Sequence, residues 1–411
     1  MDNRYSYRRR LESALLFPFA RLAGRPLLVN LEVTRRCNAR CDFCRYWHTR
    51  AEQRLDDYTP VIRRLMPTMV VVTGGEPLLR HDLEEIVRQI KRCSRTIYVG
   101  VISNGALMTV QRGRALWDAG VDQIGMSLDF LDARHDRARG IPGLSAHVAR
   151  VAAQLVAEGI HNVAVNTVIK GDNLDQILPI VAWAQERRVR VSISTYTPVK
   201  TGNTQYNIHT EQMDELRRLV AGLIRLKAQG DTITSSTYYL ERIPEFARTG
   251  FVSGCQAGRR TLTVAPNGDI QRCSETEVVC HYSSWRPRRL RPTGCGSCWV
   301  PCRGETQAPM ITLERITQCV RVFQRPNPSA AGSGTFTAQA HSIDRHRGSG
   351  SVERRKSSCE ARTHAGRGSG RQCVPCRWAT GAPTRGITQS LPAKHMKTGD
   401  AAEWRLDKEY P

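Results

Sequence analysis

Aromatic residues are scarce, with Phe, Trp and Tyr making up 6% of the 411 residues. Acidic residues are also short: 38 Asp and Glu stand against 61 Lys and Arg, a formal net charge of +23. A basic chain invites a nucleic-acid reading. Much of the excess, however, lies at the two ends and in Arg286-Pro287-Arg288-Arg289-Leu290-Arg291. No basic stretch is interleaved with the aromatics that stack on exposed bases, so specific nucleic-acid recognition is not expected. Long apolar runs are absent too, and the longest falls well short of the roughly 20 residues that span a bilayer.

The start, Tyr5-Ser6-Tyr7-Arg8-Arg9-Arg10 followed by Leu11 to Arg21, has the outline of a signal peptide. Glu12, Pro18 and Arg21 interrupt its apolar part, and no small-x-small cleavage site follows. Residues 1–26 are therefore expected to form an amphipathic segment packed on the main domain. Contact with a membrane surface is the alternative. The missing export signal points to a cytoplasmic location.

Cysteine, by contrast, is plentiful, with 14 in the chain. In a long chain without an export signal, clustered C-x2-C and C-x3-C spacings point to metal binding rather than disulfides. Three thiols fall within Cys37-Asn-Ala-Arg-Cys41-Asp-Phe-Cys44. Thiolates select zinc, copper(I) or iron–sulfur clusters. A zinc site would want a fourth ligand, for which His48 is available; otherwise one metal keeps an open position.

From Leu27 to about Tyr196, short β-rich runs alternate with helical patterns. The expected strands are 28–34, 69–73, 97–103, 122–128, 162–169 and 190–196. The expected helices lie near 80–93, 109–119, 144–158 and 173–187, with another at about 209–229. Near-continuous apolar strands such as Met69-Val-Val-Val-Thr73 suit a parallel sheet covered on both faces. Six βα units are too few for a closed eight-fold barrel, so the fold class is α/β, a partial (β/α)6 barrel over residues 27–235. Ligands in such sheets sit at the carboxyl ends of the strands, where the Cys37 loop and Thr73-Gly74-Gly75-Glu76-Pro77 both fall. A small cysteine-rich extension over 236–309 follows. The tail, 310–411, is rich in Gly, Ser, Arg, Thr and Pro and is expected to be disordered. Cys373 and Cys376 within it are read as incidental, and Cys93 as a structural residue.

The spacing C-x3-C-x2-C, with Phe43 before the last cysteine, resembles the cluster loop of radical S-adenosylmethionine (SAM) enzymes. Gly74-Gly75-Glu76-Pro77 one βα unit later resembles that family's motif for the SAM amine. The resemblance implies a [4Fe–4S] cluster on Cys37, Cys41 and Cys44, with SAM at the open iron and His48 reduced to a loop residue. It implies reductive cleavage of SAM to a 5′-deoxyadenosyl radical, hydrogen-atom abstraction from substrate, and an electron donor such as flavodoxin or ferredoxin. It also implies SAM-binding roles for Phe43, Ser103, Asn104, Ser127, Asp129, Arg139 (in His135-Asp136-Arg137-Ala138-Arg139-Gly140) and Asn166, with Tyr196 a further neighbour. Each also has a plain role in a turn or helix cap. Phe130 departs from the glycine that relatives often carry after the aspartate.

In the extension, Asn267-Gly268 between β-like runs reads as a hairpin that brings Cys255 and Cys273 together. Cys295 and Cys298 can complete four ligands, with Cys302 spare and Cys280 a lesser candidate. A structural zinc is one reading. The run Cys255…Gly268-x4-Cys273 resembles the SPASM/twitch extension, which implies one auxiliary [4Fe–4S] cluster assisting electron transfer. The substrate is expected to be a peptide or small molecule. Fewer than thirty residues precede the first strand, so no leader-binding domain is expected there. A lipid-modifying enzyme at the membrane surface is an alternative within this class. Outside it, the alternative is a non-catalytic zinc or iron–sulfur scaffold that contacts nucleic acid through its basic ends.

Overall fold

The structure is a computed structural model and describes residues 24–286 and 290–309. The N-terminal segment through residue 23 and the tail from residue 310, with the expectations attached to them, lie outside the described residues.

Six parallel strands form β1 (Leu28–Thr34), β2 (Met69–Gly74), β3 (Tyr98–Ser103), β4 (Gln123–Ser127), β5 (Val163–Ile169) and β6 (Arg190–Thr195). Each lies within one residue of the span its apolar run predicts. Val29, Leu31, Val33, Val70, Val72, Val99 and Val101 are fully buried, each worth about 1.5–3 kcal/mol of hydrophobic stabilisation. The connections carry α1 (Thr59–Leu65), α2 (Leu83–Cys93), α3 (Val110–Ala119), α4 (Ala133–Arg139), α5 (Leu144–Ala157) and α6 (Leu174–Glu186). Beyond β6 come α7 (Met213–Gln229), α8 (Thr237–Glu241) and α9 (Ile243–Thr249). The side chain of Thr109 caps α3 by accepting the Arg112 N–H, and that of Asp132 caps α4 by accepting the Arg134 N–H. Such caps are worth about 1 kcal/mol each.

The hairpin predicted around Asn267-Gly268 is present as β7 (Thr261–Val264) and β8 (Asp269–Gln271), turning through Gly268 at φ +92°. A further strand, β9 (Val278–His281), follows. Among the described residues the sheet has the order β6-β5-β4-β3-β2-β1-β7-β8-β9. β7 pairs parallel to β1, in the register Leu28 with Thr261 through Leu31 with Val264. β1 therefore has β2, which leads into the glycine motif, on one side and β7, from the second cysteine-rich region, on the other. A last helix, α10 (Pro301–Gln307), closes the described chain. Among the described residues no helix is long and apolar enough to cross a membrane.

Candidate active site

The Cys37–Cys44 loop is fastened to the glycine motif by backbone. The Gly75 N–H donates to the Thr34 carbonyl and the Glu76 N–H to the Arg36 carbonyl, both at 2.8 Å. Gly74 sits at φ +138°, and a Cβ at Gly75 would lie 2.2 Å from the Arg36 oxygen. The two glycines are thus required by the close approach of the cluster loop. From the other side, the Arg40 N–H donates to the carbonyl of Arg139 at the end of α4, at 2.8 Å. The Trp47 indole donates to the Cys41 carbonyl at 3.0 Å, with the His48 ring stacked on Trp47.

The three thiols sit close enough to act on one another. Burial raises the Cys41 thiol to about 11, opposed by Arg139 and reinforced by Cys44 and Cys37. Burial also raises Cys37, with Glu76 and Cys44 adding to it. Two donors reach these sulfurs: Asn104 Nδ2 lies 3.9 Å from Cys37 Sγ, and Arg139 Nη1 lies 4.0 Å from Cys41 Sγ. Asn104 Nδ2 also donates to Asn38 Oδ1 at 2.8 Å.

Glu76 is fully buried and its carboxylate is occupied. Oε1 accepts from the Ser103 hydroxyl (2.7 Å) and the Leu78 N–H (3.0 Å), and Oε2 accepts from the Asn104 N–H (2.6 Å). The carboxylate turns inward, where it holds the 103–105 turn that presents Asn104. Burial nonetheless raises its pKa, against the pull of those donors. Pro77 is buried at the start of a short 3-10 turn.

Asp129 and Arg139 form a buried pair at 2.7 Å. Burial pushes the Asp129 carboxyl up, but Arg139, His135 and Lys170 together hold it below the ordinary carboxylate range. His135 Nδ1 accepts the Asp129 N–H at 3.1 Å, so Nε2 carries the proton of a neutral ring. Burial, aided by Arg139, lowers the His135 pKa to about 3. Ser127 Oγ reaches the Ser103 carbonyl at 3.4 Å. Asn166 Nδ2 and Arg139 Nε are buried without a hydrogen-bond partner. Tyr196 instead donates its hydroxyl to the Asn203 carbonyl at 2.5 Å.

Sequence reasoning missed the lid of aromatic residues above the loop. Phe43 meets Tyr206 edge-on at 6.0 Å, and Tyr206 donates to Asp42 at 2.5 Å. The fully buried Lys170 ammonium lies 4.8–5.4 Å from the rings of Tyr206, Phe130 and Phe43. A lone lysine after a strand carries no signal of such a cage; only the fold assembles it.

The second cysteine region converges as well. Burial raises Cys273, Cys298 (to about 12) and Cys302 (to about 11), and the Cys255 sulfur adds to all three. Cys302 joins this set because it lies in the first turn of α10, one turn beyond Cys298. Cys295 is exposed, and its sulfur accepts the Ser297 N–H at 3.4 Å. The four thiols brought together are thus Cys255, Cys273, Cys298 and Cys302, with Cys302 in the place the spacing offers to Cys295. Cys280 in β9 and Cys93 in α2 are half-buried, and Cys93 Sγ lies 3.7 Å from the Thr59 carbonyl. Between the two sets a cavity of about 200 Å³ is lined by Arg35, Arg45, Tyr46, Thr49, Gln271 and Ser274. Arg45 crosses it to Glu275 (3.2 Å) and to the Ser274 carbonyl (3.1 Å).

Residues 31–184 match the model of the Radical SAM superfamily. That stretch of the chain is similar to the superfamily. The similarity implies a [4Fe–4S] cluster and SAM, and the first site fits them. It offers three neighbouring thiols, Cys37 and Cys41 desolvated by burial, with donors aimed at those two sulfurs, and orphaned polar atoms on Asn166 and Arg139. Among the described residues no three His, Cys, Asp or Glu side chains converge on a single ion; a four-iron cluster spreads its thiolates wider than one metal does. The GTP 3′,8-cyclase of Staphylococcus saprophyticus is 31% identical over 196 residues, covering 44% of this chain and 57% of the relative. That of Staphylococcus haemolyticus is 30% identical over 202 residues, with the same shares. The chain therefore spans little more than half the length of these relatives. Two solved structures share its fold. Streptococcus suis SuiB is 18% identical, with a TM-score of 0.50 over 64% of each chain. The anSMEcpe enzyme, solved with AdoMet and the Cp18Cys peptide, is 16% identical, with a TM-score of 0.50 over 63% of this chain and 78% of its own.

Proposed function

We propose that this chain is a radical SAM enzyme in which Cys37, Cys41 and Cys44 hold the SAM-binding [4Fe–4S] cluster. The observation that carries the reading is the lock between the cysteine loop and Gly74–Pro77, which leaves three thiols beside Asn104 and Arg139. When bound, the cluster and SAM supply a 5′-deoxyadenosyl radical that takes a hydrogen atom from substrate. The chain's own residues orient and enclose. Glu76 fixes the Ser103–Gly105 turn, and the Arg139–Asp129 pair sets a cation beside Cys41. Asn166 and Ser127 offer polar groups at the strand ends, and the Phe43–Tyr206 lid keeps water from the loop.

In the same reading, residues 27–235 form the barrel. Residues 236–309 carry one auxiliary [4Fe–4S] cluster on Cys255, Cys273, Cys298 and Cys302. A fully ligated cluster suits electron transfer with the substrate radical rather than substrate ligation. The electron donor is of the flavodoxin or ferredoxin kind and the enzyme is cytoplasmic. The cavity rimmed by Arg35, Arg45 and Tyr46 suits a polar substrate, a peptide or a small molecule. Anaerobic reconstitution tests the proposal: about eight irons per chain and SAM-dependent release of 5′-deoxyadenosine under reductant are expected. Bound zinc with no SAM cleavage would overturn it.

A further inference from the structure

Three arginines are buried among the described residues: Arg80, Arg139 and Arg303. Arg80 is paired with Asp82 at 2.6 Å and Arg139 with Asp129 at 2.7 Å. Arg303, 4% exposed, has no such partner. Its Nη1 donates to the Cys298 carbonyl, and its Nη2 to the carbonyls of Val252 and Ser253. Its Nε faces Gln307 Oε1 at 3.4 Å, and the Trp299 ring centroid lies 5.4 Å from the guanidinium carbon. Every one of these acceptors is neutral, and among the described residues no carboxylate lies within ion-pair reach of it. The remaining contact is with sulfur: Nη1 lies 4.0 Å from Cys298 Sγ.

A buried cation without a counter-charge is costly, and carbonyls satisfy only its hydrogen bonds. Glu275 is an acidic side chain that acts on this set, adding to the Cys273 thiol. It is already held by Arg45 at 3.2 Å and lies 4.0 Å from Lys200. The group that would balance Arg303 is therefore whatever converts Cys255, Cys273, Cys298 and Cys302 into thiolates. An oxidised [4Fe–4S] core carries two positive charges against four thiolates, a net charge of minus two. One-electron reduction makes or breaks no bond and takes the net charge to minus three.

We infer that Arg303 is the built-in counter-charge of the four-thiolate centre and holds its reduction potential up. The inference rests on the reading of that set as an iron–sulfur site. A fixed cation stabilises the reduced, more negative state over the oxidised one, most strongly where burial keeps water from screening it. Gly304 beside it is packed against Tyr239, a Cβ there falling 2.3 Å from the ring, so the helix turn that carries Arg303 has little freedom to swing the charge away.

The test is an anaerobic redox titration of the reconstituted full chain with dithionite, followed by electron paramagnetic resonance. The SAM-binding centre is set apart by its response to added SAM. Arg303→Met should retain the iron and shift the second centre's reduction equilibrium at least tenfold towards the oxidised form, about 59 mV for one electron. Arg303→Lys keeps the charge and should return most of the way to the parent value. An iron-replete Arg303→Met protein with an unchanged potential would overturn the inference. So would a lysine variant shifted as far as the methionine variant, because hydrogen bonding rather than charge would then set the potential. Should Arg303→Met fail to hold the centre, the lysine variant decides: loss of the centre there too contradicts a role for charge. A parent protein with one cluster, whose iron is unaffected by Cys273→Ala, removes the auxiliary site itself. Two clusters with an indifferent Arg303 removes only the counter-charge.

Discussion

The first cysteine set draws three thiols from the continuous stretch Cys37 to Cys44, while the second draws four from residues scattered between Cys255 and Cys302. In the first, the nearby cation Arg139 is neutralised by Asp129; in the second, Arg303 has no carboxylate of its own. The first loop is held chiefly by backbone, through the N–H groups of Gly75, Glu76 and Arg40, which donate to the carbonyls of Thr34, Arg36 and Arg139. The second is held by a hairpin, a loop and the start of α10. In the proposed function, the first site keeps room for an exchangeable ligand and the second has its ligand positions filled by the chain.

The largest expected effect breaks the first site alone. Gly75→Ala would push a methyl to 2.2 Å from the Arg36 oxygen, and backbone cannot yield as a side chain can. SAM cleavage and the first cluster's iron should fall to background while the second cluster persists, read by iron content and visible absorption. Retained cleavage would show that the loop does not depend on this contact.

Next comes the identity of the fourth thiol. Cys302→Ala should lose the second cluster, roughly half the iron, whereas Cys295→Ala should keep it. The reverse result would restore the ligand set that C-x2-C spacing suggests. This pair marks the limit of the sequence. Strand and helix spans, the hairpin and the first three cysteines were legible because they are local: apolar runs, a tight-turn pair, and thiols within one loop. Whether Cys295 or Cys302 turns inward depends on where α10 begins, and Pro301 alone does not announce that. The inward turn of Glu76, the Lys170 cage and the unpaired Arg303 likewise arise from contacts between distant segments. Short α1 and α4 went unseen because seven residues hold too little periodicity.

A smaller effect sharpens the electrostatic side of the comparison. The pKa of His135 is lowered to about 3 in the fold, against about 6.5 for a free histidine. Below pH 6.5 the unfolded chain binds a proton that the folded chain refuses, so stability falls with pH through this window, down to about pH 3. Between pH 6.5 and pH 5 the contribution is about 2 kcal/mol. Urea unfolding should show a shallower loss over that interval in His135→Gln than in the parent protein. An equal loss would mean that His135 is not kept neutral. Smaller still, Thr109→Ala should cost about 1 kcal/mol through the lost α3 cap, with no change at either cysteine set.

The most direct test of the two-site account is a paired measurement on reconstituted Cys41→Ala and Cys273→Ala proteins, following iron content, cluster spectra and 5′-deoxyadenosine release. Cys41→Ala should release no 5′-deoxyadenosine yet keep the second cluster's spectrum. Cys273→Ala should lose that spectrum while still cleaving SAM. Loss of all iron in both variants, or SAM cleavage surviving in Cys41→Ala, would contradict it.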